Sequence, residues 1–199
     1  MIYVIENINQ ISEDFISAFL PKMPVDRQEK ALRYRRQIDR NLCVMGYWLL
    51  CYGLQTEHGI WEHPRFSYGK YGKPYLSDYA HIHFNISHCN IGVACVVSQH
   101  ETGIDMQHIR PYNFEVAKHV CTDDEMTDLA ACQTPQRLFC KLWSVKESYA
   151  KLLGTGLGHG KSTKAADWII TQLHGDVVMR WGNGYHLCCL GKERDLVVV

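Results

Sequence analysis

The sequence predicts an α+β fold built as two lobes, residues 1–100 and 101–199, that together form one functional unit. Three observations lead there. Short apolar strands and amphipathic helices occur in both halves. No linker-like or low-complexity stretch parts them. The length of 199 residues suits one sizeable domain or two fused small ones, with enough chain to bury a core without disulfides or a structural metal.

Element by element, residues 3–5 read as a first strand and 11–20 as a short amphipathic helix that stops before Pro21. Asp26 is placed to cap a long helix over 26–52, ended by Gly53, with Leu32, Leu42, Met45, Leu49 and Leu50 on its apolar face. A loop rich in Gly, Pro and Tyr follows over 57–79. Strands are expected over 81–86 and 91–98, joined by a turn at Cys89-Asn90, and again over 103–109. Helices follow over 114–120, 123–131 and 135–153. In the last of these, Leu138, Leu142, Val145, Tyr149 and Leu152 make a core-facing stripe that Gly154 ends. Strands over 168–173, 177–181 and 185–190 complete the second half, and Cys188, Cys189 and residues 197–199 read as core strand residues.

Composition narrows the function. Lys+Arg and Asp+Glu both number 21. The chain therefore lacks the positive field that nucleic-acid binders and polybasic membrane proteins rely on, and no nucleic acid or membrane is expected as a partner. The nine cysteines have no C-x-x-C spacing. The start lacks the pattern of a signal peptide, and no apolar run reaches the roughly 20 residues of a transmembrane helix. A cytoplasmic protein with reduced thiols is the expectation.

Several apparent motifs dissolve on inspection. The run from Gly154 to Ser162 has Thr155 where a phosphate loop needs its first glycine, and it follows a helix instead of a strand. It reads as a helix stop and loop. His81, His83 and His88 lack a clear third and fourth partner for a metal. Cys89 with a distant histidine gives no positive sign of a nucleophile pair. Two other segments carry more chemistry. Asp105 and Gln107 sit at i, i+2 on one strand face, and Glu147 and Lys151 sit at i, i+4 on one helix face with Lys146 beside them. Taken singly, each is an ordinary strand-end or helix-surface arrangement. Together they offer oxygen ligands for a hard cation such as Mg²⁺ and lysines for phosphate oxygens, the parts phosphoryl transfer needs. Spacing alone does not bring the two segments together.

Five ordered pieces resemble a known family: Tyr71-Gly72-Lys73-Pro74, Phe84-Asn85-Ile86-Ser87-His88, Gly103-Ile104-Asp105, Trp143-Ser144-Val145-Lys146-Glu147-Ser148-Tyr149-Ala150-Lys151 and Gly154-Thr155-Gly156-Leu157. With the basic helix from Arg27, they resemble the 4′-phosphopantetheinyl transferases of the surfactin-synthetase-activating (Sfp) type, over roughly two-thirds of the chain. The resemblance implies two similar lobes related by a pseudo-twofold axis, with coenzyme A bound between them as co-substrate. It also implies transfer of 4′-phosphopantetheine to a serine of an acyl or peptidyl carrier protein, with release of 3′,5′-ADP. The enzyme class is then that of a holo-[acyl-carrier-protein] synthase type transferase.

Carried over position by position, Asp105 and Glu147 match acidic Mg²⁺ ligands, so the second lobe would carry the metal site. Lys151 matches the lysine on the pyrophosphate, with Lys146 as a second cation. Arg27 and Lys30, aided by His88, match residues near the 3′-phosphate. Lys73 and Pro74 match the segment lining the adenine and 3′-phosphate region, Ser87 the phosphate end, and Cys43 an adenine-side position. Gln107 departs from the family pattern, standing where many relatives carry an acid. Its carbonyl can bind a cation but cannot take a proton, which makes Glu147 the better candidate for ligand and base. Mn²⁺ could replace Mg²⁺ at such oxygen ligands. Two other readings compete: a coenzyme A-binding sensor that has lost transfer, and an unrelated Mg²⁺ phosphotransferase. The retained acids and Lys151 disfavour the first, the ordered motifs and missing basic excess the second. A monomer is expected, because two lobes already complete one site.

Overall fold

A computed structural model describes residues 1–155, 164–174, 176–193 and 195–199. Strand β1 (Ile2–Ile5) opens the chain, and α1 (Glu13–Phe19) follows with the Ser12 hydroxyl accepting the Phe15 N–H as its cap. The helix expected over 26–52 is two helices, α2 (Val25–Leu32) and α3 (Gln37–His58). The break falls where Arg33, Arg35 and Arg36 would crowd like charge onto one helical turn. In a straight helix Arg27 would lie about 30 Å from Tyr47. Folded back, its guanidinium sits 5.7 Å from the Tyr47 ring centre and 4.8 Å from that of Phe66.

Gly53 does not end α3. It is buried mid-helix, where a Cβ would come within 2.8 Å of the Tyr3 ring and of Val97, so its bareness lets α3 lie close on the sheet beneath. Gly59, at φ 66°, ends the helix instead. The loop expected over 57–79 contains a small hairpin, β2 (Phe66–Tyr68) and β3 (Pro74–Leu76). Strands β4 (His83–His88), β5 (Val93–Ser98) and β6 (Gly103–His108) follow close to expectation. Helices α4 (Phe114–Val120), α5 (Asp123–Ala131) and α6 (Pro135–Leu153) coincide with the predicted ranges, and Gly154, at φ 69°, ends α6.

Residues 168–173 were expected as strand and lie mostly in a helix, α7 (Ala166–Gln172). Ala166 and Ile169, one turn apart, are buried in the same core as α6, and that packing outweighs the local preference of Trp168, Ile169 and Ile170. Strands β7 (Val177–Trp181), β8 (Tyr185–Leu190) and β9 (Leu196–Val198) close the chain.

The strands form sheets ordered β4-β5-β1-β9 and β6-β8-β7, beside the β2-β3 hairpin. Alternation sorts their side chains into layers. Tyr3, Ile5, Val93, Cys95 and Val97 face α3. Ile2, Val4, Ala94 and Val96 meet Ile104, Met106, Leu187 and Cys189 between the sheets. Cys188 and Leu190 face α6 with Leu142 and Val145. The order is thus helix, sheet, sheet, helix, an α+β architecture. Strand β9 runs parallel to β1 and so returns to the first sheet across the division expected near residue 101. It is an edge strand, so Val197 and Val198 are exposed instead of lying in the core, whereas Cys188 and Cys189 are buried as expected.

Candidate active site

A cavity of about 340 Å³ opens where α2, α3, the β2-β3 hairpin and β4 meet the end of α6. That volume falls in the range of small-molecule sites. Arg27, Lys30, Lys73, Pro74, His88 and Lys151, all predicted from sequence, line it, as does Cys43. Arg27 is almost fully buried over its two aromatic rings, and its Nε has no hydrogen-bond partner. Burial, and then the neighbouring Arg27 charge, push the Lys30 pKa down. Two cations held side by side without a carboxylate between them favour an anion with more than one negative charge. His88 keeps a solvent-exposed edge, yet the crowding protein and then Lys151 push its pKa down.

Behind Lys151, which lines this cavity, β6 approaches α6 unusually closely. A Cβ on Gly103 would fall 2.1 Å from the Ser148 carbonyl oxygen and 2.5 Å from the Leu152 nitrogen. No other residue fits there without separating strand and helix. The approach brings Asp105 beside Lys151, whose Nζ donates to Asp105 Oδ1 at 2.7 Å, to Ser87 Oγ at 2.9 Å and to the Ile104 carbonyl at 3.1 Å. Glu147 lies one turn before Lys151 on α6. Burial raises its pKa, the Asp105 charge raises it further, and Lys151 opposes both. Asp105 Oδ2 is buried with no hydrogen-bond partner. A buried, unpaired carboxylate oxygen beside a second carboxylate is costly without a cation, so the donor set fits one. Among the described residues no three His, Cys, Asp or Glu side chains converge as a metal cage. A hard cation here would complete its shell with water and substrate oxygens, as Mg²⁺ does.

With this geometry in view, the comparisons with known proteins decide the family. A family model described as the 4′-phosphopantetheinyl transferase superfamily matches residues 101–195. The chain is similar to 4′-phosphopantetheinyl transferase Sfp of Bacillus subtilis strain 168, with 31% identity over 159 residues, 78% of this chain and 71% of that protein. The chain belongs to the 4′-phosphopantetheinyl transferase family. A second Bacillus subtilis 4′-phosphopantetheinyl transferase is 32% identical over 66% of this chain and 60% of its own length. The 4′-phosphopantetheinyl transferase psf-1 of Bacillus pumilus is 30% identical over 76% of this chain and 66% of its own length. The last two matches thus cover less than two-thirds of those relatives.

For this phosphopantetheinyl transferase chain, several sequence-based placements change. Lys146 does not face the cavity as a second cation. It is fully buried, with Nζ donating to Glu125 Oε2 at 2.6 Å and to the Val120 carbonyl at 2.8 Å. Glu125 in turn accepts N–H bonds from Thr122 and Ala166, so the pair ties α4, α5, α6 and α7 together. Burial works to raise the Glu125 pKa, but the Lys146 and backbone bonds outweigh it and hold it down. Helical rotation explains the correction: Lys146 is 100° from Glu147 and points into the second core.

Ser87 is also buried and does not line the cavity; its hydroxyl donates to Asp105 Oδ1 at 2.8 Å. Lys73 lines the cavity with its stem, but its ammonium bonds Glu101 at 2.7 Å and the Leu152 carbonyl at 3.0 Å, which engages the C-terminus of α6. Gln107 shares the β6 face of Asp105 and lines a second cavity of about 230 Å³ with Tyr112, Phe139 and Trp143. Gly156, Leu157 and the run to Ser162 lie outside the described residues. Sequence reasoning missed Asn85, whose Oδ1 accepts the Ile104 N–H at 3.2 Å, and the packing role of Gly103. A polar residue at alternate positions of the apolar strand β4 was the available signal for Asn85.

Proposed function

We propose that this chain transfers the 4′-phosphopantetheine group of coenzyme A to a serine hydroxyl of an acyl or peptidyl carrier protein, in a reaction that needs Mg²⁺ or Mn²⁺ and releases 3′,5′-ADP. The observation that carries the reading is the buried, unpartnered Asp105 Oδ2, set near Glu147 and behind Lys151, which lines a cavity that Arg27 and Lys30 make cationic. Arg27 and Lys30, with His88, hold the 3′-phosphate, and Cys43 and Pro74 border the adenine. Lys151 swings part of its charge from Asp105 to the pyrophosphate. A divalent cation on Asp105 and Glu147, with the Gln107 carbonyl on the same strand face, would neutralise charge as the bond to the leaving group breaks. The serine oxygen forms its bond to the β-phosphorus, the bond to the bridging oxygen breaks, and 3′,5′-ADP leaves with the electron pair. Glu147, its pKa raised by burial, takes the serine proton directly or through water.

The layered helix–sheet–sheet–helix order supports reading the molecule as two similar lobes about a pseudo-twofold axis with the site between them, and hence as a monomer of the Sfp type. No helix among the described residues is long and apolar enough to cross a membrane. A cytoplasmic location remains part of the proposal.

The direct test is intact mass spectrometry of a panel of apo carrier proteins incubated with coenzyme A, Mg²⁺ and this protein. A gain of one phosphopantetheine on the carrier serine, lost with EDTA, is the expected result. Coenzyme A bound tightly with no carrier modified would instead favour a sensor.

A further inference from the structure

We propose that Ser87 is a positioning residue for the cation site, one that fixes the Asp105 carboxylate so that Oδ1 is taken up by protein and Oδ2 is left for a divalent cation. The inference rests on the phosphopantetheinyl-transfer reading above. It departs from the expectation that Ser87 meets a phosphate of the ligand.

The hydrogen-bond capacity of Ser87 decides the matter. A serine hydroxyl has one proton to give and two lone pairs to fill. Here the proton goes to Asp105 Oδ1 at 2.8 Å. The lone pairs accept the Met106 N–H at 3.1 Å and Lys151 Nζ at 2.9 Å. Nothing is left for a phosphate, and the residue is 5% exposed. Its three partners are the residue after Asp105, Asp105 itself and the lysine that pairs with Asp105. All its bonds therefore converge on one carboxylate.

The placement follows from how the two sheets meet. Strand β6 is the edge of its sheet, paired with β8 on one side only. Its Ile104 and Met106 N–H groups find side-chain partners across the gap, Asn85 Oδ1 and Ser87 Oγ, both from β4 of the other sheet. Two polar side chains at alternate positions thus stand in for a missing neighbouring strand and set the register of β4 against β6. Asp105 lies between the two bonded amides, so the same clasp that joins the sheets aims its carboxylate. An alanine at 87 would strand the Met106 amide and leave Lys151 as the only partner of Oδ1.

The test is the affinity of the full chain for Mn²⁺, read by electron paramagnetic resonance, beside its affinity for 3′,5′-ADP in EDTA by calorimetry. Ser87→Ala is expected to weaken Mn²⁺ binding roughly ten- to a hundredfold, the scale of losing a residue that orients a metal ligand, while 3′,5′-ADP binds as in the wild type. Ser87→Thr, which keeps the hydroxyl, is expected to retain Mn²⁺ affinity. If Ser87→Ala does not fold, Ser87→Cys serves in its place: its weak donor should cost Mn²⁺ affinity that threonine keeps, and equal affinities would overturn the proposal. So would a Ser87→Ala protein that loses 3′,5′-ADP and keeps Mn²⁺, which would make the serine a phosphate ligand. A wild-type chain that binds no Mn²⁺ also overturns it, and the carrier-modification assay then shows separately whether the transfer reading survives.

Discussion

The two walls of the cleft handle charge in opposite ways. On the N-terminal wall, Arg27 is buried against the Tyr47 and Phe66 rings with its Nε unpartnered, and the more exposed Lys30 lines the same cavity beside it. On the C-terminal wall, Asp105 already pairs with Lys151, and its buried Oδ2 is left unpartnered near the Glu147 carboxylate. One wall stores electrostatic need for an anion. The other holds two carboxylates against one ammonium and is short of a cation. The difference suggests a division of labour, in which the first wall supplies affinity for the nucleotide and the second supplies the chemistry.

The largest expected effect lies behind the second wall. Lys146→Met leaves Glu125 buried without its cation and should cost about 3–5 kcal/mol of stability, the usual penalty for breaking a buried pair. Denaturant unfolding checks it; a loss close to zero would mean that the second wall does not depend on this pair. Next comes Glu147→Ala, expected to lower carrier modification roughly a hundred- to a thousandfold at saturating coenzyme A, as for one preorganised electrostatic group. Glu147→Gln should lose far more turnover than Gln107→Glu, and comparable losses would remove Glu147 as the base. Arg27→Ala should weaken coenzyme A binding roughly ten- to a hundredfold, since charge-assisted hydrogen bonds contribute about 1.5–3 kcal/mol. That variant should also lose most of the preference for coenzyme A over its 3′-dephospho form, which competition binding would read.

The smallest effect concerns pH. The folded protein holds the Glu147 proton more tightly than the unfolded chain does, because burial and Asp105 raise its pKa. The contribution of Glu147 to wild-type stability therefore falls as pH rises through the carboxylate range. Glu147→Gln removes this liability, so the variant should melt above the wild type at neutral pH. The gap should close in acid, where Glu147 is protonated in both states. A gap that widens in acid would contradict the reading of this wall as short of a cation.

How much of this was legible in the sequence depends on the kind of signal. Helix α6 could be read because its signals are local, an apolar stripe at helical spacing and Gly154 at the end, and the structure shows local caps at α4 and α5 too, Asn113 and Thr122. The family resemblance implied that Asp105 and Lys151 serve one site, but neither it nor spacing gave their direct pairing, which depends on Gly103 admitting α6 to contact distance. Lys146 was misplaced although the signal was present: next to Glu147 on a helix it lies about 100° around the axis, off the Glu147–Lys151 face. The break at Arg33 to Arg36 was hidden for another reason. Both flanking segments are helical, the arginine crowding marks where a break can fall, and the aromatic rings that receive Arg27 show where the chain turns back to. Strand β9 joins the first sheet through contacts with the far end of the chain, which no local pattern encodes.

The division of labour is tested most directly by calorimetric titration of coenzyme A, in EDTA, into the wild type, Arg27→Ala and Glu147→Ala. The account predicts that Glu147→Ala binds as the wild type does, while Arg27→Ala binds at least about tenfold more weakly. Equal losses in both variants, or a loss confined to Glu147→Ala, would contradict it.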